Sequence, residues 1–108
     1  MGEVTRGSLF PASAAPERGE RVEPIVSSHG VVVEHILSGR LDVPVDFLQG
    51  HDEWVVVLDG EAQIEMEGEA MSLKAGDWVS IPAGVPHRVV KTERATSWLA
   101  VHLPPSPG

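Results

Sequence analysis

The stretch Gly76-Asp77-Trp78-Val79-Ser80-Ile81-Pro82-Ala83-Gly84-Val85-Pro86-His87-Arg88-Val89 decides the fold. Its first part, Trp78–Ile81, is rich in the β-branched and aromatic residues that favour strands. The following Pro and Gly residues form a turn signal, after which His87 opens a second strand-like run. The stretch therefore predicts two strands joined by a tight turn that presents a single histidine.

Short strand-like runs separated by turn residues extend to both sides of this stretch, and no segment keeps a helical period for three turns. Strands are predicted at Val31–Leu37, Glu53–Leu58, Ala62–Glu67, Met71–Leu73, Trp78–Ile81, His87–Val90 and Ser97–Leu103. Asp59-Gly60 stands between two of these runs and predicts a hairpin, since Gly tolerates the positive φ of a tight turn. The pattern predicts an all-β fold, a small sandwich or barrel.

The two ends of the chain differ in composition from its middle. Residues 1–24 are rich in Gly, Ala, Ser, Pro and charge, which predicts a partly flexible arm. Leu9-Phe10 is the apolar exception and is a candidate anchor for the arm, on the barrel or on a partner subunit. Residues 104–108 are Pro-rich and predict a disordered tail. The globular domain is expected at residues 25–103.

Composition restricts the classes of partner. The chain of 108 residues carries 8 Lys and Arg against 16 Asp and Glu, a formal net charge of −8. This charge opposes binding to nucleic acid or to an anionic membrane. There is no Cys, which excludes disulfides and thiolate metal sites. No apolar run approaches the ~20 residues of a membrane span, and Pro and charged residues interrupt the N-terminal segment, so we expect a cytoplasmic protein.

The candidate chemistry lies with five histidines and their carboxylate neighbours; the histidines are His29, His35, His51, His87 and His102. Strand alternation would place Gln49, His51 and Glu53 on one face with Val55 and Val57. A face that combines these polar groups with two valines predicts a barrel interior with a polar mouth.

Two segments of the chain, one around Glu53 and one from Gly76 to His87, resemble the two motifs of the cupin family. Glu53, six intervening residues and Gly60 are similar to the second half of the first cupin motif. Gly76, Pro82, Gly84 and His87 have the spacing of the second motif. The resemblance covers roughly residues 45–102 and implies a double-stranded β-barrel of the jelly-roll type, with a small-molecule site inside it and frequent assembly as a homodimer.

The chain departs from that pattern at three positions. The family's first motif carries two histidines, and Phe47 and Gln49 stand in their places. The asparagine that closes the second motif is replaced by Lys91. Of the four usual metal ligands, Glu53 and His87 match by position.

A divalent transition metal (Zn, Fe, Mn, Ni or Cu) is nevertheless the expected cofactor. His51, Glu53 and His87 could form a two-histidine, one-carboxylate set, and Gln49 could add a weaker oxygen ligand. His102 is a further candidate for the cavity wall, as is Phe47.

Less specific interpretations stand beside these. Glu53 could pair with Arg88, and His51 could be a solvated loop residue, since a shift of one residue in the strand start reverses its face. His29 and His35 are interpreted as structural. Trp54, Trp78 and Trp98 are interpreted as core or interface residues, and the acidic run Glu61–Glu69 as the solvent side of a hairpin.

Three functions therefore remain open from the sequence. The first is a metal-binding cupin. The second is a metal-free acid–base isomerase or dehydratase with His87 as base and Glu53 as acid, weakened by the lack of any Tyr for the acid role. The third is a domain that binds or senses a small ligand without catalysis.

Overall fold

The computed structural model describes residues 2–92 and 95–105. In this part of the chain nine strands form two antiparallel sheets, which confirms the all-β prediction. The strands are β1 (Glu20–Ser28), β2 (Val31–Ser38), β3 (Val45–Phe47), β4 (Glu53–Asp59), β5 (Glu61–Met66), β6 (Glu69–Lys74), β7 (Trp78–Ile81), β8 (His87–Thr92) and β9 (Thr96–His102), preceded by a 3-10 turn at Ala12–Ala14. Within the described residues, no helix is long and apolar enough to cross a membrane.

The order of the strands separates residues that are close in sequence. One sheet has the order β1-β2-β9-β4-β7 and the other the order β3-β8-β5-β6. Because β9 lies between β2 and β4, the register places Glu34 beside Ala100 and Glu53 beside His102. Strand β9 therefore joins the pair β1 and β2 to the pair β4 and β7 in the larger sheet.

The core lies between the two sheets. On β4, the alternating residues Val55 and Val57 face inward, and they pair in register with Ala100 and Trp98 of β9. Ile64 of the smaller sheet belongs to the same buried cluster. Burial of each large apolar side chain contributes about 1.5–3 kcal/mol to stability. The cluster contains residues of both sheets and so packs them against each other.

The turn at Asp59-Gly60 corrects one expectation. Gly60 has a φ of +87°, as a tight turn requires. However, β4 belongs to the larger sheet and β5 to the smaller one, so the turn crosses between sheets instead of closing a hairpin. A hairpin is found one connection later, where Glu67 and Gly68, both with positive φ, join β5 to β6.

Two strands were not predicted. Strand β1 begins at Glu20, inside the segment expected to be an arm, and β3 is a short three-residue strand. Most residues of β1 are exposed and Pro24 interrupts it next to a bulge, so the sequence shows no strand period there. The seven predicted strands are found within two residues of their expected ends.

The predicted arm is attached before it reaches β1. The backbone N–H groups of Gly39 and Arg40 donate to the carbonyl oxygens of Gly19 and Glu17, each at 2.9 Å. Further back, the guanidinium of Arg21 lies 4.3 Å from the centre of the Phe10 ring. Of the predicted tail, Pro104 and Pro105 lie outside any strand, and residues 106–108 lie outside the described residues.

Candidate functional site

A cavity of about 200 Å³ opens between the sheets at the end where β4 and β8 begin and β9 ends. Its walls combine apolar side chains of both sheets with a polar rim. The lining residues are Glu20, Val22, Glu34, Ile36, Phe47, Gln49, Glu53, Val55, Ile64, Ile81, His87, Val89, Trp98 and His102.

Backbone contacts bring the starts of β4 and β8 together. The loop before β4 is held to the Pro- and Gly-rich turn before β8, because Gly84 N–H donates to the Gln49 carbonyl at 2.8 Å. The Asp52 carboxylate accepts from Ala83 N–H at 2.8 Å. These bonds explain why Glu53, the first residue of β4, lies near His87, the first residue of β8.

Glu53 and His87 face each other inside the cavity. Each is 8% exposed, and Glu53 Oε1 lies 3.7 Å from His87 Nε2. This distance exceeds that of a hydrogen bond, so a narrow gap separates the two groups. Arg88, the alternative partner expected for Glu53, instead binds Asp46 at 2.7 Å, and that hydrogen bond raises the pKa of the Arg88 guanidinium.

The His87 ring is held from two sides. Its Nδ1 donates to the Val85 carbonyl at 3.1 Å, so in a neutral ring Nε2 carries the lone pair and points toward Glu53. The Phe47 ring stacks on the imidazole with centroids 5.5 Å apart and 15° between the planes. The geometry thus gives His87 a defined direction and an available acceptor nitrogen.

His102 lies on the other side of Glu53. Its Nδ1 is 3.5 Å from Glu53 Oε2, and its Nε2 is 2.7 Å from Glu34 Oε1. Sequence reasoning proposed His102 for the cavity wall but missed Glu34. The sequence feature that could have pointed to Glu34 is its position as a charged residue in the otherwise apolar run that begins at Val31.

Gln49 contributes an acceptor. Its side-chain Oε1 is buried and has no hydrogen-bond partner among the described residues. Because a buried amide oxygen without a partner costs free energy, this atom is suited to receive a hydrogen bond from a ligand in the cavity.

His51 is placed differently from the expectation. It lines a groove of about 360 Å³ outside the cavity, which we call the outer groove, together with Gly30, Val32, Glu34, His102, Leu103, Pro104 and Pro105. Strand β4 begins only at Glu53, so strand alternation does not extend back to His51. Its Nε2 lies 2.9 Å from His102 Nδ1, and His51 reaches Glu53 through that ring.

The expected metal ligands lie in two different spaces, Glu53, His87 and Gln49 in the cavity and His51 in the outer groove. In residues 2–92 and 95–105, no group of three or more His, Asp or Glu side chains is placed to hold one metal ion. The physical reason is that both ring nitrogens of His102 have close partners, while His51 lies in the outer groove. Of the expected ligands, Glu53, His87 and the weaker donor Gln49 line the cavity, and metal binding by them stays a prediction.

The electrostatic character of the cavity is acidic. Among its described lining residues the carboxylates are Glu20, Glu34 and Glu53, and neither Lys nor Arg is present. Burial raises the pKa of the Glu20 carboxyl. The site therefore offers mainly hydrogen-bond acceptors, which suits hydroxyl donors better than anions.

His35, His29 and Trp98 make structural contacts, as expected, whereas the interface role expected for Trp54 and Trp78 stays a prediction. His35 is 1% exposed and its Nε2 bonds Ser97 Oγ at 2.7 Å; burial lowers its pKa, against a smaller opposing effect of Glu23. His29 lies in the β1–β2 turn and bonds Ser28 Oγ. Trp98 belongs to the core, whereas Trp54 and Trp78 lie together on strands β4 and β7 with ring centres 6.0 Å apart.

Comparison with known proteins agrees with the fold. The model of the Cupin_2 family, described as a cupin domain, matches residues 32–102. A solved structure from Ralstonia eutropha JMP134, provisionally named a mannose-6-phosphate isomerase, has a TM-score of 0.82 and 34% identity. That match covers 94% of this chain and 99% of the other. The jelly-roll barrel expected from the sequence is thereby confirmed.

Matches to curated proteins are shorter. An uncharacterised protein of Aquifex aeolicus is 39% identical over 54 residues, which are 50% of this chain and 45% of that protein. The quercetin 2,3-dioxygenase of Bacillus subtilis is 46% identical over 35 residues, 32% of this chain and 10% of the enzyme. The aligned stretches thus span less than half of each relative.

Proposed function

Because the chain belongs to the cupin domain family, we propose that its barrel cavity binds a small polyhydroxy or hydroxy-carbonyl compound and transfers a proton at it through Glu53 and His87. The supporting observation is the pair itself. Glu53 Oε1 and His87 Nε2 face each other across 3.7 Å, and both are acceptors when the ring is neutral and the carboxyl is ionised. A proton shared by the two atoms, or a ligand hydroxyl placed between them, removes the repulsion between these two acceptors.

The pair also has the parts that enolisation requires. His87 Nε2 removes a proton from the carbon next to the carbonyl, while protonated Glu53 gives its proton to the carbonyl oxygen, forming an enediol. The protonated His87 then returns its proton to the former carbonyl carbon while the Glu53 carboxylate takes the proton of the neighbouring hydroxyl, which completes an isomerisation and restores both groups. Protonation and loss of an adjacent hydroxyl group as water gives a dehydration instead. Glu53 takes the acid role, for which this chain has no Tyr.

The lining residues narrow the class of compound. A phosphate group would meet the carboxylates of Glu20, Glu34 and Glu53 without a Lys or Arg among the described lining residues. The provisional name of the Ralstonia protein supports isomerase chemistry, but the cavity favours an uncharged ligand over a sugar phosphate. A cavity of about 200 Å³ is also below the ~300–1,000 Å³ of typical drug-sized sites, so the ligand is small.

Proton transfer can be tested directly. We expect the protein to catalyse deuterium incorporation from D₂O into dihydroxyacetone or D-mannose, followed by proton NMR. Glu53→Gln and His87→Asn should each slow this exchange by about 100-fold. Glu69→Gln, an exposed substitution on β6, is the control and should leave the rate unchanged.

Ligand binding without deuterium exchange would distinguish a binding domain from an enzyme. If these compounds raise the melting temperature but gain no deuterium, the cavity serves a binding or sensing domain and the catalytic proposal is wrong. If D-mannose 6-phosphate stabilises the protein more than D-mannose does, the electrostatic argument is wrong. Binding of a divalent metal stays a prediction of the sequence.

A further inference from the structure

The polar and apolar side chains of the cavity lie at different depths. Glu53 and His87 are the first residues of β4 and β8, and His102 is the last residue of β9. The register places Glu53 directly beside His102, and Glu53 Oε1 lies 3.7 Å from His87 Nε2. These three polar side chains therefore form one layer, which we call the rim, at the end of the cavity where their strands begin or end.

Apolar side chains form the layers behind the rim. Residues two apart on a strand face the same side and lie about 6.6 Å from each other. Val55 follows the rim at this spacing on β4, Val89 does so on β8, and both line the cavity. Deeper again, Trp98 of β9 pairs in register with Ile36 of β2, and both line the cavity as well. The cavity is thus polar at its rim and apolar along its depth.

Polar groups close to the apolar layers have other partners or are exposed. Trp98 Nε1–H donates to Ser38 Oγ at 3.0 Å. Glu34 Oε1 accepts from His102 Nε2 at 2.7 Å, which directs this carboxylate toward the rim. Glu20 lies among the exposed residues of the edge strand β1. A ligand hydroxyl placed against the apolar layers would therefore lose its hydrogen bonds to water without replacement, which costs free energy.

We propose that the ligand is a hydroxy-carbonyl compound with a short apolar tail, whose head lies at Glu53 and His87 and whose tail lies along Val55, Val89 and Trp98. This inference rests on the proposed function, in which the first two residues bind the head. The tail has about four carbon atoms, since such a chain covers the ~6.6 Å from the rim to the next layer. A sugar carries hydroxyl groups along its whole chain and fits these walls less well.

The dependence of affinity on tail length tests the proposal. The 1-hydroxy-2-alkanones from hydroxyacetone to 1-hydroxy-2-hexanone keep one head and lengthen the tail from methyl to butyl. Their affinity, measured by chemical-shift titration of nitrogen-15-labelled protein, should rise about fourfold for each added methylene. D-mannose should bind more weakly than 1-hydroxy-2-hexanone. An affinity that stays constant or falls as the tail grows overturns the proposal.

Val89 and Val90 provide a matched pair of variants. Both are half-buried residues of β8, but Val89 lines the cavity and Val90 lines a different pocket. Val89→Thr keeps the side-chain shape and places a hydroxyl group against the tail. Its affinity for 1-hydroxy-2-hexanone should fall about fivefold, while that for hydroxyacetone stays within about twofold of wild type. Val90→Thr should change neither affinity, and urea unfolding verifies that both variants are folded. Equal losses in the two variants, or no loss in Val89→Thr, would overturn the place assigned to the tail.

The deuterium exchange experiment separates this inference from the proposed function. If affinity rises with tail length but no compound gains deuterium, the tail is confirmed as a determinant of binding and the catalytic role of Glu53 and His87 is wrong. If dihydroxyacetone and 1-hydroxy-2-hexanone exchange with the same kcat/KM, the catalytic role stands and the preference for an apolar tail is wrong.

Discussion

The Phe47 ring lies nearly parallel to the His87 imidazole, with centroids 5.5 Å apart. The register explains the contact, since Phe47 of β3 pairs directly with His87 of β8. By the spacing of the cupin motif, Phe47 occupies a position where that family carries a histidine. An aromatic packing partner therefore stands where a second imidazole would face the cavity.

Histidines can be introduced at the two motif positions that lack them. We expect Phe47→His combined with Gln49→His to bind one Zn²⁺ or Ni²⁺ per chain, because four ligands would then line the same cavity. Titration calorimetry and metal analysis of untagged protein measure this. Both variants are compared with wild type, and the control Val45→His should bind metal no more tightly than wild type does. Equal affinity of wild type and the double variant would contradict the geometric argument and favour the expected His51, Glu53 and His87 set.

Gly60 and Gly68 both have positive φ but differ in the space around them, so alanine substitutions at the two positions separate backbone strain from steric crowding. Both have positive φ, but a Cβ at Gly60 would lie 2.8 Å from Thr96 Oγ1 and 2.9 Å from its Cα, whereas Gly68 has no neighbour within 4 Å. Gly68→Ala should cost about 1–2 kcal/mol of unfolding free energy through the left-handed conformation alone. Gly60→Ala should cost more, because backbone must also move. Equal losses in urea unfolding would show that the close approach is relieved easily.

Burial of His35 predicts a dependence of stability on pH. Its folded-state pKa lies below the reference value of 6.5, so the unfolded chain binds a proton there more readily. Stability should therefore fall as the pH drops below about 6.5, and its loss should level off below the folded-state pKa. His35→Gln removes the titrating group. The variant should lose less stability between pH 7 and pH 5.5 than wild type in denaturant titrations; an identical loss would assign the effect to other groups.

The homodimer expected from the sequence has a candidate surface on strands β4 and β7. Trp78 is 60% exposed and lies beside Trp54, and exposed apolar surface of this kind is typical of interfaces. We expect light scattering to give twice 11.6 kDa for wild type and a lower mass for Trp78→Glu. Val43→Glu, at a similarly exposed site in a loop, is the control. A monomeric wild type would refute the dimer, and loss of the dimer in both variants would refute the surface.

The core strands were predictable because their apolar residues alternate or cluster between clear turns, as in Glu53–Asp59 and Trp78–Ile81. Strand β1 was not, since an exposed edge strand needs no apolar face. The site was predictable where a motif fixes the local backbone, as it does for Glu53 and His87.

Contacts that depend on long-range register were not predictable. Glu34 and His102 are 68 residues apart in sequence and meet because β2 and β9 are neighbours in the larger sheet. Likewise, the position of His51 depends on where β4 begins, which alternation alone does not determine.

Glu34 and His102 line both the cavity and the outer groove, which bears on how this barrel can change its ligand. The two spaces have volumes of about 200 and 360 Å³, and neither side chain belongs to the apolar core cluster. Shortening Glu34 to a small residue would join the two spaces into a longer chamber while the packing between the sheets stays as it is. We therefore expect the residue at position 34 to set the length of ligand that such barrels accept, with a small residue there admitting longer molecules at the cost of the His102–Glu34 hydrogen bond.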